Sequence, residues 1–206
     1  MRTVDMSATG RQQQYEYFLS LQNPHVSLTV NCDISHLLEV TKERKLPFFL
    51  TLLHCVVNAA NAVAELRQRI REREVVEYEN CLSSHTVSLP NGGYCYCELD
   101  CSKSLEEFLP YAQAAVEQAK NAASLEDGED SGKLFFVTCV PWLSFTSLHL
   151  PTADATDSNP RISFGKYFEQ EGKTLLPVQL QVHHGLVDGV HIARFYEGIA
   201  QRIAAL

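Results

Sequence analysis

The segment Gln181-Val-His-His-Gly-Leu-Val-Asp-Gly189 closes a long, mostly apolar run of the chain. A strand over residues 175–184 would place alternate side chains on opposite faces of a sheet. One face then carries valine and leucine and ends in His184, whereas the other carries two glutamines and His183. The glycines of the segment allow a turn into a following helix. The apolar face of this predicted strand therefore ends in an imidazole where the chain turns.

His184 is a candidate general base, because a neutral imidazole is the group most often used to remove a proton near pH 7. Asp188, four residues later, would orient the site or balance a buried cation. A core histidine with a satisfied hydrogen bond is the alternative interpretation, and the complete HHxxxDG pattern between a strand and a helix favours the base. Joint metal binding by His183 and His184 is disfavoured, because neighbouring strand residues point to opposite faces.

Strands and helices alternate along the rest of the chain. The predicted strands are 26–31, 85–99 as a hairpin around Pro90-Asn-Gly-Gly93, 134–140 and 175–184. The predicted helices run from Pro47 to about Ala64, from the capping box Ser104-Leu-Glu-Glu107 to about Ala123, and from about Val190, with Ile192, Phe195, Ile199 and Ile203 on one face. An acidic loop is predicted at 124–132. This order predicts an α/β (α+β) fold with a mixed sheet flanked by helices, in one domain over residues 1–206.

Composition limits the classes of partner. The 206 residues are 45% hydrophobic with a formal net charge of −8, which disfavours nucleic acid as a partner because phosphate binding needs clustered lysine and arginine. The N-terminus has no apolar signal-peptide region, and the apolar stretch 46–64 is interrupted by polar residues, so we expect a cytoplasmic protein outside the membrane. Seven cysteines without a CxxC pair predict reduced thiols and no metal site.

Several segments in order along the chain resemble the chloramphenicol acetyltransferase family, within the coenzyme A-dependent acyltransferases. The C-terminal segment from Gln181 to Phe195, which contains HHxxxDG, is similar to the signature of that family. Pro141-Trp-Leu-Ser-Phe-Thr-Ser-Leu148 resembles its Pro-Trp-x-x-Phe-x-Ser segment. The N-terminal Thr3-Val-Asp-Met-Ser7 with Arg11, and Gly165-Lys-Tyr167, resemble further family segments. The resemblance implies the fold of this family, acetyl-CoA as co-substrate without a metal, and a small-molecule alcohol as acceptor.

The resemblance also implies roles for individual residues. His184 would be the catalytic base, with its tautomer held by a backbone carbonyl. Ser147 would donate a hydrogen bond to the tetrahedral oxyanion. Asp188 would pair with Arg11 and hold the active-site turn in shape. The family assembly implies a homotrimer whose active sites lie between subunits.

Further residues match positions that contact the two substrates in the family. Lys166 and Tyr167 would bind coenzyme A, because a cation suits its phosphates and an aromatic ring suits adenine. Ser163 stands where the family usually has threonine, so a water-mediated role of its hydroxyl is implied. The acceptor pocket would be lined by Phe18, Gln22 and Val26.

The acceptor positions depart from the family pattern. An aromatic residue is more typical at position 26, and the segment with Gln22 and Pro24 predicts a smaller and more polar pocket. Two alternatives therefore stay open beside chloramphenicol acetylation. One is an acyltransferase of the same fold with a different hydroxyl or thiol acceptor, and the other is a catalytically silent homologue that binds coenzyme A.

Overall fold

The structure is a computed structural model that describes residues 1–72, 74–128 and 130–206. Its described helices are α1 Gln12–Leu19, α2 Ser35–Glu43, α3 Phe48–Asn61, α4 Leu105–Ala122 and α5 Gly189–Ala204. Its described strands are β1 Arg2–Val4, β2 His25–Asp33, β3 Gln68–Arg71, β4 Glu74–Glu77, β5 Leu82–Ser88, β6 Tyr94–Leu99, β7 Leu134–Cys139, β8 Arg161–Phe164, β9 Phe168–Gln170 and β10 Lys173–His183. Of these elements, β10 and α5 carry the HHxxxDG segment between them.

A mixed sheet forms the centre of the fold, with strand order β2-β10-β8-β7-β5-β6 and β9 paired to β10. β7 is parallel to both β5 and β8, and the other pairs are antiparallel. β2 and β10 pair over nine positions, from Asp33 opposite Leu175 to His25 opposite His183. This long ladder holds the end of β10 in place, so the turn that follows it starts from a rigid position.

The two faces of β10 differ in what covers them. On one face Val178, Leu180 and Val182 are buried in the hydrophobic core, in which α3 packs against α5. On the other face Gln179 and Gln181 are equally buried, beneath the irregular segment that follows β7. The sheet thus has an apolar face against helices and a buried polar face.

A second sheet of three strands, β1-β4-β3, is joined to the large sheet by Arg69. This side chain is 1% exposed. Its guanidinium donates to the carbonyl oxygens of Gly132 at 2.7 Å, Leu66 at 2.8 Å and Leu134 at 3.1 Å. Burial lowers the pKa of the guanidinium, and neutral carbonyl oxygens accept the hydrogen bonds of its donors.

The predicted mixed sheet flanked by helices is confirmed, as are the capping box of Ser104 and Glu107 and the buried face of α5. The helix expected to reach about Ala64 ends at Asn61 instead. The reason is that the backbone becomes extended at Val63, with φ −102° and ψ 110°, before a short 3-10 helix over Ala64–Arg67. The predicted loop 124–132 includes Glu129, which lies outside the described residues. No helix among the described residues has the length and apolar character to cross a bilayer.

Candidate active site

His184 is the first residue after β10, and its backbone N–H donates to the carbonyl oxygen of Pro24 at 2.8 Å. That bond continues the β2–β10 ladder by one step, so the backbone of His184 is held although the strand has ended. Its side chain is 33% exposed. The imidazole therefore lies at the surface of this chain, open to solvent or to another molecule.

Two contacts fix the orientation of the His184 ring. Nδ1 lies 3.1 Å from the carbonyl oxygen of Val187, and a carbonyl oxygen only accepts, so Nδ1 carries the proton. The ring of Phe18 stacks on the imidazole with centroids 4.0 Å apart and planes 16° apart. In the neutral ring, Nε2 then presents its lone pair as a proton acceptor.

Arg11 and Asp188 form an ion pair beside this turn. Nε of Arg11 donates to Oδ2 of Asp188 at 3.1 Å, and Nη2 lies 2.9 Å from the same oxygen. Nη1 of Arg11 donates to the carbonyl oxygen of Leu186. The second carboxylate oxygen of Asp188 is 3.5 Å from Nδ1 of His184. One arginine from the N-terminal segment thus ties together two residues of the turn that carries the imidazole.

His191, which was not among the predicted site residues, adds a second support to the turn. Its Nδ1 accepts from the backbone N–H of Asp188 at 3.0 Å, so its proton lies on Nε2, which faces Oε1 of Glu65 at 3.5 Å. Burial lowers the pKa of His191. The signal available in the sequence was the position of His191 three residues after Asp188, where a side chain can cap the start of α5.

His183 points to the opposite face from His184 and is 1% exposed. Its Nδ1 accepts from the N–H of Gly185 at 3.1 Å, and Nε2 lies 3.1 Å from the carbonyl oxygen of Ala155. Burial lowers the pKa of His183 to about 4. It is therefore a neutral hydrogen-bonded core histidine that fastens the turn from within.

Ser147 lies in the irregular segment after β7, where its side chain is exposed. The next residue, Leu148, accepts a hydrogen bond at its carbonyl oxygen from Oγ of Ser27 at 2.9 Å. Leu150 exchanges two hydrogen bonds with the amide of Gln181. Ser27 and Gln181 are directly opposite each other on the polar face of the β2–β10 ladder. Within one chain, the segment with Ser147 is thus bound to the polar face of the sheet, whereas His184 lies at the end of the apolar face.

Ser163 belongs to the same polar face. It pairs with Gln179 of β10 and with Thr138 of β7 and is fully buried. Its hydroxyl oxygen has no hydrogen-bond partner in the part of the chain that the structure describes.

Lys166 and Tyr167 lie at the surface directly after β8. The backbone N–H of Lys166 donates to the carbonyl oxygen of Leu143 at 2.7 Å, which brings the segment before Ser147 to this end of the strand. The ring of Tyr167 is 47% exposed and meets the ring of Phe48 edge to face, with centroids 6.0 Å apart. An exposed cation and two aromatic rings are thus available together.

Of the residues expected to line the acceptor pocket, Phe18 contacts the His184 ring directly. Val26 is half-buried and pairs with Val182, two positions before His184 on the same strand face. Gln22 is exposed in the turn between α1 and β2. Of these three residues, Phe18 is thus the one in contact with the imidazole.

A cavity of about 970 Å³ lies elsewhere, between the three-stranded sheet and the segment around Asp157. Its lining includes Arg161 and Asp157, which are joined through both terminal guanidinium nitrogens at 3.1 and 2.6 Å. His184 is not part of its lining. The cavity is thus separate from the candidate base.

Known proteins resemble this chain over nearly its whole length. The family model described as "CAT: Chloramphenicol acetyltransferase" matches residues 1–200. A chloramphenicol acetyltransferase of Proteus mirabilis is 30% identical over 205 residues, covering 96% of this chain and 92% of its relative. One of Escherichia coli is also 30% identical, covering 97% of this chain and 92% of that protein.

A solved chloramphenicol acetyltransferase structure superimposes with a TM-score of 0.86 at 24% identity, covering 98% of this chain and 99% of the other. A probable dihydrolipoamide acetyltransferase of Listeria monocytogenes superimposes with a TM-score of 0.67 at 14% identity over the whole of this chain and 94% of its own. These two likenesses establish the fold. Together with the sequence matches, they show that this chain is an acyltransferase and belongs to the chloramphenicol acetyltransferase family.

Proposed function

We propose that this protein transfers the acetyl group of acetyl-CoA to a hydroxyl of a small-molecule acceptor in the cytoplasm, with His184 as the general base. The observation that carries the proposal is the hydrogen bond from Nδ1 of His184 to the carbonyl oxygen of Val187, which leaves Nε2 free at an exposed position. One chain over residues 1–206 would form a single catalytic domain.

The reaction would proceed without an acyl-enzyme. Nε2 of His184 removes the proton of the acceptor hydroxyl as the oxygen attacks the thioester carbonyl. The tetrahedral intermediate then collapses, the carbon–sulfur bond breaks, and the imidazolium returns the proton to the departing thiolate. General base catalysis of this kind contributes roughly 10²–10⁴ in rate. The contacts of Phe18 and Val187 support this role, because a base must be held in one orientation to act.

Ser147 would stabilise the oxyanion of this intermediate. Its side chain is exposed and makes no hydrogen bond within the described residues, so its hydroxyl is available to a substrate. Ser147 and His184 follow opposite faces of β10 in one chain. We therefore propose a homotrimer in which the His184 of one subunit meets the Ser147 of the next.

Lys166, Tyr167 and Phe48 would bind coenzyme A. The exposed ammonium group of Lys166 suits a phosphate, and the aromatic pair formed by Tyr167 and Phe48 suits the adenine ring. Ser163 would contribute its hydroxyl to the acetyl-transfer site through a water molecule. Ser163, Lys166 and Tyr167 lie in β8 or directly after it, where the N–H of Lys166 binds Leu143 of the segment that carries Ser147, and Phe48 of α3 packs against Tyr167 there.

The acceptor could be chloramphenicol or another alcohol. The segment 18–26 combines Phe18 against the catalytic ring with an exposed Gln22 and the aliphatic Val26. This small and partly polar surface favours a second candidate, an acceptor other than chloramphenicol that bears a hydroxyl or thiol.

The decisive experiment is His184→Ala in the full chain, assayed by release of free coenzyme A from acetyl-CoA. We expect turnover to be lost while the melting temperature and oligomeric state are kept, because the ring is at the surface. His36→Ala is the matched control, since His36 is also exposed and lies on α2. Near-normal turnover of His184→Ala would remove the central assignment.

The acceptor is then identified with a panel of alcohols and thiols in the same assay. Chloramphenicol turnover with a low KM would support the antibiotic as acceptor. Turnover only with other members of the panel would support the second candidate. Coenzyme A binding without turnover on any member would contradict the proposed activity and support a silent homologue.

A further inference from the structure

The segment that carries Ser147 is fastened to the buried polar face of the sheet by a chain of hydrogen bonds. Nε2 of Gln179 donates to Oγ of Ser27 at 2.7 Å. Oγ of Ser27 then donates its own proton to the carbonyl oxygen of Leu148 at 2.9 Å. Leu148 directly follows Ser147, so the chain of bonds ends at the peptide next to the candidate oxyanion donor.

The direction of this chain is fixed by proton count. A carbonyl oxygen only accepts, so the single hydroxyl proton of Ser27 must go to Leu148. The hydroxyl oxygen of Ser27 must therefore accept from Gln179, which has to present its N–H₂ group. Gln179 is fully buried, and its Oε1 has no hydrogen-bond partner among residues 1–72, 74–128 and 130–206. Burying an amide oxygen without a hydrogen-bond partner costs free energy, so Gln179 is an unfavourable residue here for stability alone. A role of its N–H₂ group in holding Ser27 would account for its presence.

A second attachment lies two residues further along. The N–H of Leu150 donates to Oε1 of Gln181 at 2.8 Å, and Nε2 of Gln181 donates to the carbonyl oxygen of Leu150 at 2.9 Å. The backbone after Ser147 is thus bound to the β2–β10 ladder at Leu148 and again at Leu150. Since that ladder is the longest in the sheet, it provides a rigid reference for an otherwise irregular segment.

From these contacts we propose that Gln179 is a positioning residue that acts through Ser27 on Ser147. The inference rests on the proposed role of Ser147 as oxyanion donor. An oxyanion donor stabilises the transition state most when its hydroxyl is already held at the place where the negative charge develops. A donor that must first move there spends free energy on the rearrangement. An irregular exposed segment does not provide that by itself. The Gln179–Ser27–Leu148 relay would supply it from the sheet beneath.

The test uses Ser27→Ala and Gln179→Leu in the full chain, with kcat and KM measured for both substrates. We expect each variant to lower kcat about tenfold, less than the roughly 10²–10³ that removal of a donor itself costs, because the hydroxyl is displaced but present. KM should stay close to its original value, since the relay touches neither substrate. The double variant should be no slower than either single one, because both break the same chain of bonds.

Three further variants separate positioning from a general structural effect. Ser27→Thr keeps the hydroxyl and should keep the rate. Thr29→Val is the matched control, because it removes a hydroxyl opposite Gln179 that makes no hydrogen bond within the described residues. In a Ser147→Ala background, Ser27→Ala should cost almost nothing further, since the group that it positions is gone.

An unchanged kcat in Ser27→Ala would overturn the relay, as would a full additional loss in the Ser147→Ala background. Neither result would touch the assignment of His184, which is decided separately by His184→Ala. Retained turnover in His184→Ala would overturn the proposed function itself, whatever the Ser27 variants do.

Discussion

Arg11 reaches from the N-terminal segment to Asp188 and donates from Nε to Oδ2 across 3.1 Å. The same guanidinium donates from Nη1 to the carbonyl oxygen of Leu186. Between Leu186 and Asp188 lies Val187, whose carbonyl oxygen accepts the hydrogen bond from Nδ1 of His184. The Arg11–Asp188 ion pair therefore helps to position the imidazole, although neither residue takes part in the proposed proton transfer.

We expect Arg11→Met to lower both the free energy of unfolding and kcat. The side chains of Arg11 and Asp188 are 17% and 36% exposed, so the loss should lie between that of surface and buried pairs, at about 1–3 kcal/mol. Thermal unfolding at fixed protein concentration and steady-state kinetics measure the two effects. Arg2→Met is the control, because Arg2 pairs with Glu77 at 2.8 Å but is 76% exposed. An unchanged melting temperature for Arg11→Met would contradict this view of the pair.

Lys166→Gln should raise KM for acetyl-CoA and leave kcat nearly unchanged, because the ammonium group would bind phosphate in the ground and transition states alike. The difference from the wild type should shrink as salt is added, since exposed charges are screened. Lys173→Gln is a suitable control, because Lys173 is also exposed and pairs with Asp33 at 3.2 Å. Equal effects of both substitutions on KM would argue against a phosphate contact at Lys166.

Cys139→Ala should keep normal turnover, because the proposed reaction forms no acyl-enzyme. Burial raises the pKa of Cys139, so the thiolate needed for nucleophilic attack is disfavoured near pH 7. Kinetics of the variant and of the wild type after treatment with iodoacetamide check this expectation. Accumulation of an acetylated thiol detected by mass spectrometry would contradict the direct transfer.

The free energy of unfolding should fall as the pH is lowered from about 6.5 to about 4. Burial depresses the pKa of His183 from 6.5 to about 4, so across this window the unfolded chain binds a proton that the folded chain does not. His85, whose pKa is also lowered by burial to about 4, acts in the same direction. Urea unfolding at several pH values and one protein concentration measures the slope.

His183→Asn should make that slope shallower, because one of the histidines whose pKa is lowered by burial is removed. The variant is expected to be less stable at pH 7, since the contacts with Gly185 and Ala155 are weakened. A slope identical to that of the wild type would mean that His183 does not control stability in this range.

Local signals predicted the elements that position the site. The alternation along β10, the capping box of Ser104 and the apolar face of α5 each follow from residues close together in the sequence, and each is confirmed. The pairing of Arg11 with a residue 177 positions away has no local signal, and it was inferred from the family resemblance alone.

Other parts of the fold gave no usable pattern. α1 reads Gln-Gln-Gln-Tyr-Glu-Tyr-Phe-Leu and buries only Tyr15, so it lacks the apolar periodicity of a helix that packs on a core. The strands β3 and β4 are four residues long and rich in charge, which masks their alternation. The hydrogen-bond relay from Gln179 through Ser27 could not be predicted from the sequence either, because it depends on the register between β2 and β10.

Arg69 fastens the small sheet to the large one through neutral carbonyl oxygens instead of carboxylates. Dissolved ions should weaken this joint little, because its hydrogen bonds go to neutral carbonyl oxygens and do not depend on a charge pair that salt screens. Lysine would be a poor replacement, since its single ammonium group cannot reach carbonyls spread around a planar fork. The junction of the two sheets should therefore be as stable at high ionic strength as in dilute buffer, but it should tolerate almost no substitution of Arg69.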